Sequence, residues 1–270
     1  MVELIKEAKE YKFNSVEYVE LEDVKDILLY QKDESYIFLC GEDDSRLFLY
    51  WGASSKDDFF NGLIKTIALI KSELDIENYR AVYIEFIPED FVAEMKKNNF
   101  EVVSNYVDYW IKDLATLELQ VPEDPVIRPA AQEEYRRVSE ITISCRNQSR
   151  GFSGETIEWV QENNEDPNST VLVAEMNNNL VGMGCFKLYA QESKAGTCLW
   201  VRELAVDPQY QSKGVGGAIL KHGLSWGIQQ GAKRSFLAAD EENRGAIRLY
   251  EKIGFKSNPD SGQINMELLL

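Results

Sequence analysis

Two rhythms of apolar residues alternate along the second half of this chain. Tyr135, Val138, Ile141 and Thr142 recur at three-to-four spacing, which predicts a helix over Gln132–Cys145. A polar loop, Arg146–Gly154, and a short helix, Glu155–Asn163, follow. Thr170–Met176 and Leu180–Tyr189 then flank Asn177-Asn178-Asn179, a hairpin whose turn tolerates positive φ. Thr197–Val206 reads as a strand, and QSKGVGGAIL leads into a helix ending near Gln230-Gly231. Arg234–Ala239 is a strand, Asn243–Ile253 a helix and Ile264–Leu268 a last strand.

A similar order can be laid over the first half. Tyr36–Cys40 and Arg46–Trp51 are strands, Asp57–Ser72 a helix, Arg80–Phe86 a strand, Pro88–Asn98 a helix and Tyr106–Leu114 a strand. The two halves also end alike, MKKNNFEVVSNYVDYWIKDL against YEKIGFKSNPDSGQINMEL, which suggests a diverged internal duplication. Between them LATLELQVPEDP, Leu114–Pro125, reads as an exposed linker. The expected fold class is therefore mixed α/β, in two domains, 1–120 and 121–270. Each has a central, mostly antiparallel sheet flanked by helices, not a doubly wound one.

Composition narrows the function classes. With 44% apolar and 28% charged residues the chain reads as soluble and globular. The charged N-terminal stretch MVELIKEAKEYKF offers no secretory h-region, and no apolar run approaches a membrane span. Four separated cysteines and one histidine point to no metal and to a reducing, cytoplasmic setting. The net charge is −17, with 13 basic against 26 acidic residues in 1–120 alone. That argues against nucleic-acid partners and suits a cationic or amine-bearing substrate, although acidity also serves solubility.

The glycines of QSKGVGGAIL need a reason, because glycine in a helix costs roughly 0.5–1 kcal/mol against alanine. The first N–H groups of a helix lack internal partners and carry its positive pole. Bare backbone at Gly214, Gly216 and Gly217 lets an oxyanion reach them, with Gln211, Ser212, Lys213 and Val215 around it. A phosphate cradle or a loose strand-to-helix turn both satisfy this stretch taken alone.

Its surroundings add a resemblance. VRELAVDPQYQSKGVGGAILKHGL, followed by NRGAIRLYEKIGF, resembles the GNAT superfamily of acetyl-CoA-dependent N-acetyltransferases over about 126–270, and IRPA at Ile127–Ala130 is similar to its usual first strand. The resemblance implies that Gln211-x-x-Gly214-x-Gly216 binds the pyrophosphate of coenzyme A. It also implies that Leu204, Ala205 and Val206 present backbone to the pantetheine arm, and that Asn243 and Ala246 lie on the helix face that carries Tyr250. By the same resemblance Tyr250 is the general acid for the departing thiolate, and Glu203 is the base for the incoming amine. Glu203 is otherwise a strand residue that is solvated or salt-bridged to Arg202 or Lys187. Strand alternation sets Leu204 and Val206 on one face and Val201, Glu203 and Ala205 on the other, unless a bulge intervenes.

Asp57 and Asp58 stand where the first half would need its cradle, in GASSKDDFF, and Pro88–Asn98 carries no tyrosine. By resemblance to tandem GNAT proteins, that half looks like a degenerate copy that supports the second or helps shape its acceptor site. His222 is expected to be exposed. Gly223 and Gly227 let their helix lie close to the sheet, and Cys185 and Cys198 pack within strands. Phe152, Trp159 and Tyr189 either line an acceptor site or pack. The expected activity is direct acetyl transfer to a primary amine of a small molecule or peptide, by a monomer or homodimer. The rival is a non-catalytic acyl-CoA-binding module.

Overall fold

The computed structural model describes residues 2–17, 19, 24, 26–43 and 45–270. In chain order the elements are α1 (Val2–Glu10), β1 (Phe13–Asn14), β2 (Ile27–Lys32), β3 (Tyr36–Asp43), β4 (Arg46–Ala53), α2 (Lys56–Glu73), β5 (Ala81–Ile84), α3 (Glu89–Lys97) and β6 (Glu101–Ile111). They continue with β7 (Val126–Pro129), α4 (Tyr135–Ser144), α5 (Ile157–Glu165), β8 (Ser169–Met176), β9 (Asn179–Tyr189), β10 (Cys198–Val206), α6 (Val215–Gln229), β11 (Arg234–Asp240), α7 (Arg244–Ile253) and β12 (Lys256–Leu269). Elements expected from periodicity are present, most of them within a few residues at their ends, but β6 begins five and β12 eight residues earlier than expected. The helix and strands ahead of Tyr36 were not expected.

The chain divides into two compact units, residues 1–105 with 263–270, and residues 106–262. These do not coincide with a division at 120. Residues 106–120 belong to the second unit, and the final eight residues to the first. Within the second unit, Tyr106–Ile111 pair antiparallel with β11. Leu114, expected in an exposed linker, is 2% exposed and its N–H donates to Lys233 O at 2.8 Å.

The first unit is a mixed sheet in which β3 pairs with β2 and β4, β4 runs parallel to β5, and Met266–Leu269 pair with β5. Its core gathers Phe38, Trp51, Phe59, Phe91 and Phe100, with Trp51 and Phe59 edge to face at 4.6 Å. Apolar burial of such rings contributes about 25 cal/mol per Å² removed from water.

In the second unit the sheet runs β6, β11, β10, β9, β8, β7, antiparallel except where β10 and β11 are parallel. Asn177 and Asn178 make the β8–β9 turn at φ 51° and 60°, the left-handed pair that a two-residue hairpin requires. One face carries α6 and α7 over Phe186, Leu199, Val201 and Leu237. The other carries α4 and α5 over Val171, Val173, Met183, Cys185 and Ala205. A Cβ on Gly223 would lie 2.0 Å from the Phe186 ring, and one on Gly227 would lie 2.6 Å from Leu199. Those glycines do bring α6 down onto the strands. Cys185 and Cys198 are buried free thiols, and desolvation pushes Cys185 up to about 12. His222 is half-buried rather than exposed, its Nδ1 2.9 Å from Ala218 O of its own helix.

Candidate active site

β10 and β11 pair only over Cys198–Trp200 with Arg234–Phe236. Beyond Trp200 they part. β10 stays on β9 as far as Val206 opposite Gly182, while β11 stays on β6 as far as Asp240 opposite Tyr106. One edge of β10 past Trp200 is therefore left without a strand partner among the described residues. Backbone groups on such an edge seek a partner, which suits an extended polar ligand.

A bulge at Arg202 sits at the parting, since the register shifts between Val201 and Glu203. It corrects the expected alternation. Val201 packs with Leu204 and Val206 on the α6–α7 side, whereas Ala205 lies on the α4–α5 side. Glu203, two residues before Ala205, shares its face. Neither expected ion pair forms. Lys187 binds Asp166 at 2.9 Å, and Arg202 donates to Asn163 Oδ1 at 2.9 Å between the indoles of Trp159 and Trp200. The Glu203 carboxylate instead accepts from Leu204 N–H at 2.9 Å. Burial pushes this carboxyl up to about 8, and the charge of Glu155 adds to the rise.

At the end of β10, Val206 O accepts from Gln211 Nε2 at 2.9 Å, and Gln211 Nε2 also lies 2.5 Å from Gln148 Oε1. Gln211 thus fixes the loop through its amide. Ser212 and Gly214 take φ of 60° and 85°, and α6 starts directly after them. The helix ladder opens with Ala218 N–H on Gly214 O, so the N–H groups of Val215, Gly216 and Gly217 lie ahead of it. A Cβ at Gly214 would meet nothing within 4 Å; its φ is what requires glycine. Lys213 is exposed, its ammonium 5.0 Å from the centre of the Tyr210 ring. Open helix amides, left-handed glycine and exposed lysine fit a diphosphate.

α7 is capped by Asn243, whose Oδ1 accepts from Ala246 N–H at 3.2 Å. Its Leu249 packs over Gly216 and Gly217. Tyr250 is 8% exposed, with its ring against Phe255 at 6.2 Å. Burial and the nearby Glu203 charge push its phenol up. Glu203 and Tyr250, from different elements, are therefore electrostatic neighbours.

Glu155 was not expected in this group. Burial pushes it up to about 7. Its only sequence signal is the preceding Gly154, at φ 95°, where a Cβ would strike the Ile143 backbone at 2.7 Å. Phe152 and Trp159 pack beside the α4–α5 core, and Tyr189 stands 6.4 Å from Trp200.

At its bulge β10 parts from β11 and runs on towards a glycine-opened helix start. Residues 132–255 match the acetyltransferase (GNAT) family, and the chain carries a GNAT acetyltransferase domain. Stretches of 84 residues are 37% identical to a mycothiol acetyltransferase of Thermobispora bispora and 36% identical to a spermine/spermidine N(1)-acetyltransferase of Bacillus subtilis. The first covers 31% of this chain and 28% of the relative, the second 30% and 55%. The chain thus matches about a quarter to half of those relatives' length. A GCN5-related N-acetyltransferase from Sphaerobacter thermophilus is similar in fold, with TM-score 0.62 and 16% identity over 87% of this chain and 76% of that one. A tandem GNAT protein from the clavulanic acid biosynthesis pathway gives 0.60 and 10% over 91% and 85%.

Proposed function

We propose that this protein is an acetyl-CoA-dependent N-acetyltransferase that moves an acetyl group directly to a primary amine of a small molecule or peptide. The observation that carries the reading is the unpaired edge of β10 leading into the open amides of Val215, Gly216 and Gly217, with Glu203 and Tyr250 beside that edge. Those amides, with Ser212 and Lys213, would hold the diphosphate, and the β10 edge at Leu204–Val206 would hold the pantetheine arm. Acetyl-CoA supplies the activated thioester. Leu204 N–H is held by Glu203 in this structure, and released to the acyl oxygen it is the oxyanion donor on that edge. Glu203, raised towards neutral pH, accepts the ammonium proton. Tyr250, kept protonated by burial, holds a proton for the departing sulfur. Asn243 and Ala246 shape the same helix start, Asn243 as its cap.

Among the described residues of the first unit, the corresponding helix start offers no open pole. At the start of α2, Ser55 accepts from Asp58 N–H, and the Asp58 carboxylate takes the hydroxyls of Ser55 and Ser35. That helix pole is filled by side chains. β1 also pairs Phe13 with Ala53 and Asn14 with Gly52, covering β4 beyond its pairing with β5.

A thiol-release screen over alkylamines, polyamines, amino acids, aminoglycosides and N-terminal peptides tests the reading. Turnover on one of these classes supports it. Stoichiometric acetyl-CoA binding with no turnover on any would establish an acyl-CoA-binding module instead, and absence of binding would remove both.

A further inference from the structure

Glu155 stands where α5 is about to begin, and its backbone is pinned from both sides. Its N–H donates to Thr142 Oγ1 at 2.8 Å, and its carbonyl accepts from Ser139 Oγ at 2.7 Å. Thr142 Oγ1 lies 3.5 Å from the same carbonyl. Gly154 packs against the Ile143 backbone just before it. Three α4 residues therefore fix the point from which this side chain leaves the chain.

Its surroundings are the α4–α5 face of β10, the face onto which Glu203 turns. Cys185, directly across the ladder from Glu203, feels the charges of Glu203, Glu155 and Arg202 together. The Glu155 carboxylate makes no hydrogen bond or ion pair among the described residues. Arg202, the cation nearest in effect, is engaged by Asn163 and two indoles and forms no salt bridge among the described residues. Two carboxylates from separate elements thus converge beside the open strand edge, and neither forms an ion pair among the described residues.

We propose that Glu155 is a second carboxylate of the acceptor site, gripping an alkylammonium acceptor while Glu203 removes its proton. The inference rests on the transferase reading above and names its acceptor class, an amine that arrives charged. The step balances: R–NH3⁺ gives its proton to the Glu203 carboxylate, leaving R–NH2 and a neutral acid. Glu155 stays ionised and keeps the amine in place. The groups facing the pair are Arg202 on the same strand, Cys185 on β9, Cys145 at the end of α4 and Tyr250 on α7. Burial favours the neutral form of each thiol and of the phenol, so Arg202 is the one cation in this set.

Carboxyl NMR titration of the full chain with saturating coenzyme A, with and without propylammonium, tests the pair without turnover. In E155Q the Glu203 midpoint moves to lower pH, because the like charge is gone. In the wild type propylammonium lowers the midpoints of both carboxyls, and in E155Q it leaves Glu203 in place. A Glu203 midpoint unchanged by E155Q, or midpoints indifferent to propylammonium, would overturn the proposal. With the best alkylamine from the screen, E155Q lowers kcat/KM at pH 7 by about tenfold. The acid limb of its profile moves down with Glu203, acetyl-CoA affinity is unchanged, and E155D recovers part of the loss. Equal kcat/KM in wild type and E155Q would also overturn it. A wild type that turns over no amine refutes the transferase reading, while the titration still decides whether the pair binds an ammonium.

Discussion

Gly216→Ala separates the two explanations of the glycine-rich helix start, because they demand effects of opposite sign. Gly216 is the second residue of α6, and a Cβ there would lie 3.4 Å from Leu249 Cδ2 and 3.6 Å from Val206 Cγ2. Those are ordinary contact distances, so the methyl enters without displacing α7. Alanine also removes backbone freedom from the unfolded chain, a gain of roughly 0.5–1 kcal/mol. For a chain of this size that raises Tm by about 1–3 °C. If a diphosphate oxygen sits on the Gly216 amide, the same methyl crowds it. Losing one charge-assisted hydrogen bond of about 1.5–3 kcal/mol weakens acetyl-CoA binding roughly 10- to 100-fold. Differential scanning calorimetry of the free protein and isothermal titration with acetyl-CoA read the two effects separately. A higher Tm with unchanged affinity would show that no anion approaches this amide, and the cradle reading would fall.

Tyr250→Phe keeps the ring against Phe255 and removes only the hydroxyl; kcat should fall about a hundredfold with acetyl-CoA affinity nearly constant, and an unaltered kcat would take Tyr250 out of the mechanism. Gly223→Ala drives a Cβ into the Phe186 ring and should cost about 1–3 kcal/mol, seen as a lower urea midpoint; a wild-type midpoint would mean that α6 shifts freely. Glu203 titrates near 8 in the folded chain, well above an ordinary carboxyl, so folding takes up a proton and stability declines as pH rises from about 4.5 to about 8. Glu203→Gln should therefore raise Tm relative to wild type at pH 9 and match it at pH 4. The same variant should lose the rise in kcat/KM expected of the wild type as pH passes 8, and a difference in Tm independent of pH would refute the burial argument.

What the sequence disclosed was set by how local each determinant is. The helix of Val138 and Ile141, the Asn177–Asn178 turn and the close approach at Gly223 each follow from a few neighbouring residues. Gly214 stood out for its bare backbone, whereas its left-handed φ is what requires glycine there. The bulge at Arg202 was not legible, because a register shift is decided between two strands, and it moved Val201 to the opposite face from the one alternation gives. Leu114 looks like linker until Lys233, more than a hundred residues later, takes its N–H. Glu155 was invisible for a related reason. A carboxylate in a polar stretch reads as solvated until Ser139 and Thr142 pin its backbone over a strand. Gln211, legible as a ligand of phosphate, also serves as a brace on Val206 O.

The same topological position is built in opposite ways in the two units, and the contrast explains why the acid count matters locally. β4 leads into α2 as β10 leads into α6. After β10 the helix pole is opened by Gly214, Gly216 and Gly217, and no strand among the described residues takes up the parted edge. After β4 the pole is closed by Ser55 and Asp58, whose carboxyl is drawn below its ordinary value by two hydroxyls. A carboxylate at a helix N-terminus stabilises the fold by the same field that would draw a phosphate. Such a site serves one or the other, so stability and cofactor binding compete for it. In the first unit the competition was resolved in favour of stability, with Phe13 and Asn14 also laid along β4. Removing Asp58 alone would leave that strand in place, and a cofactor cleft would not open there.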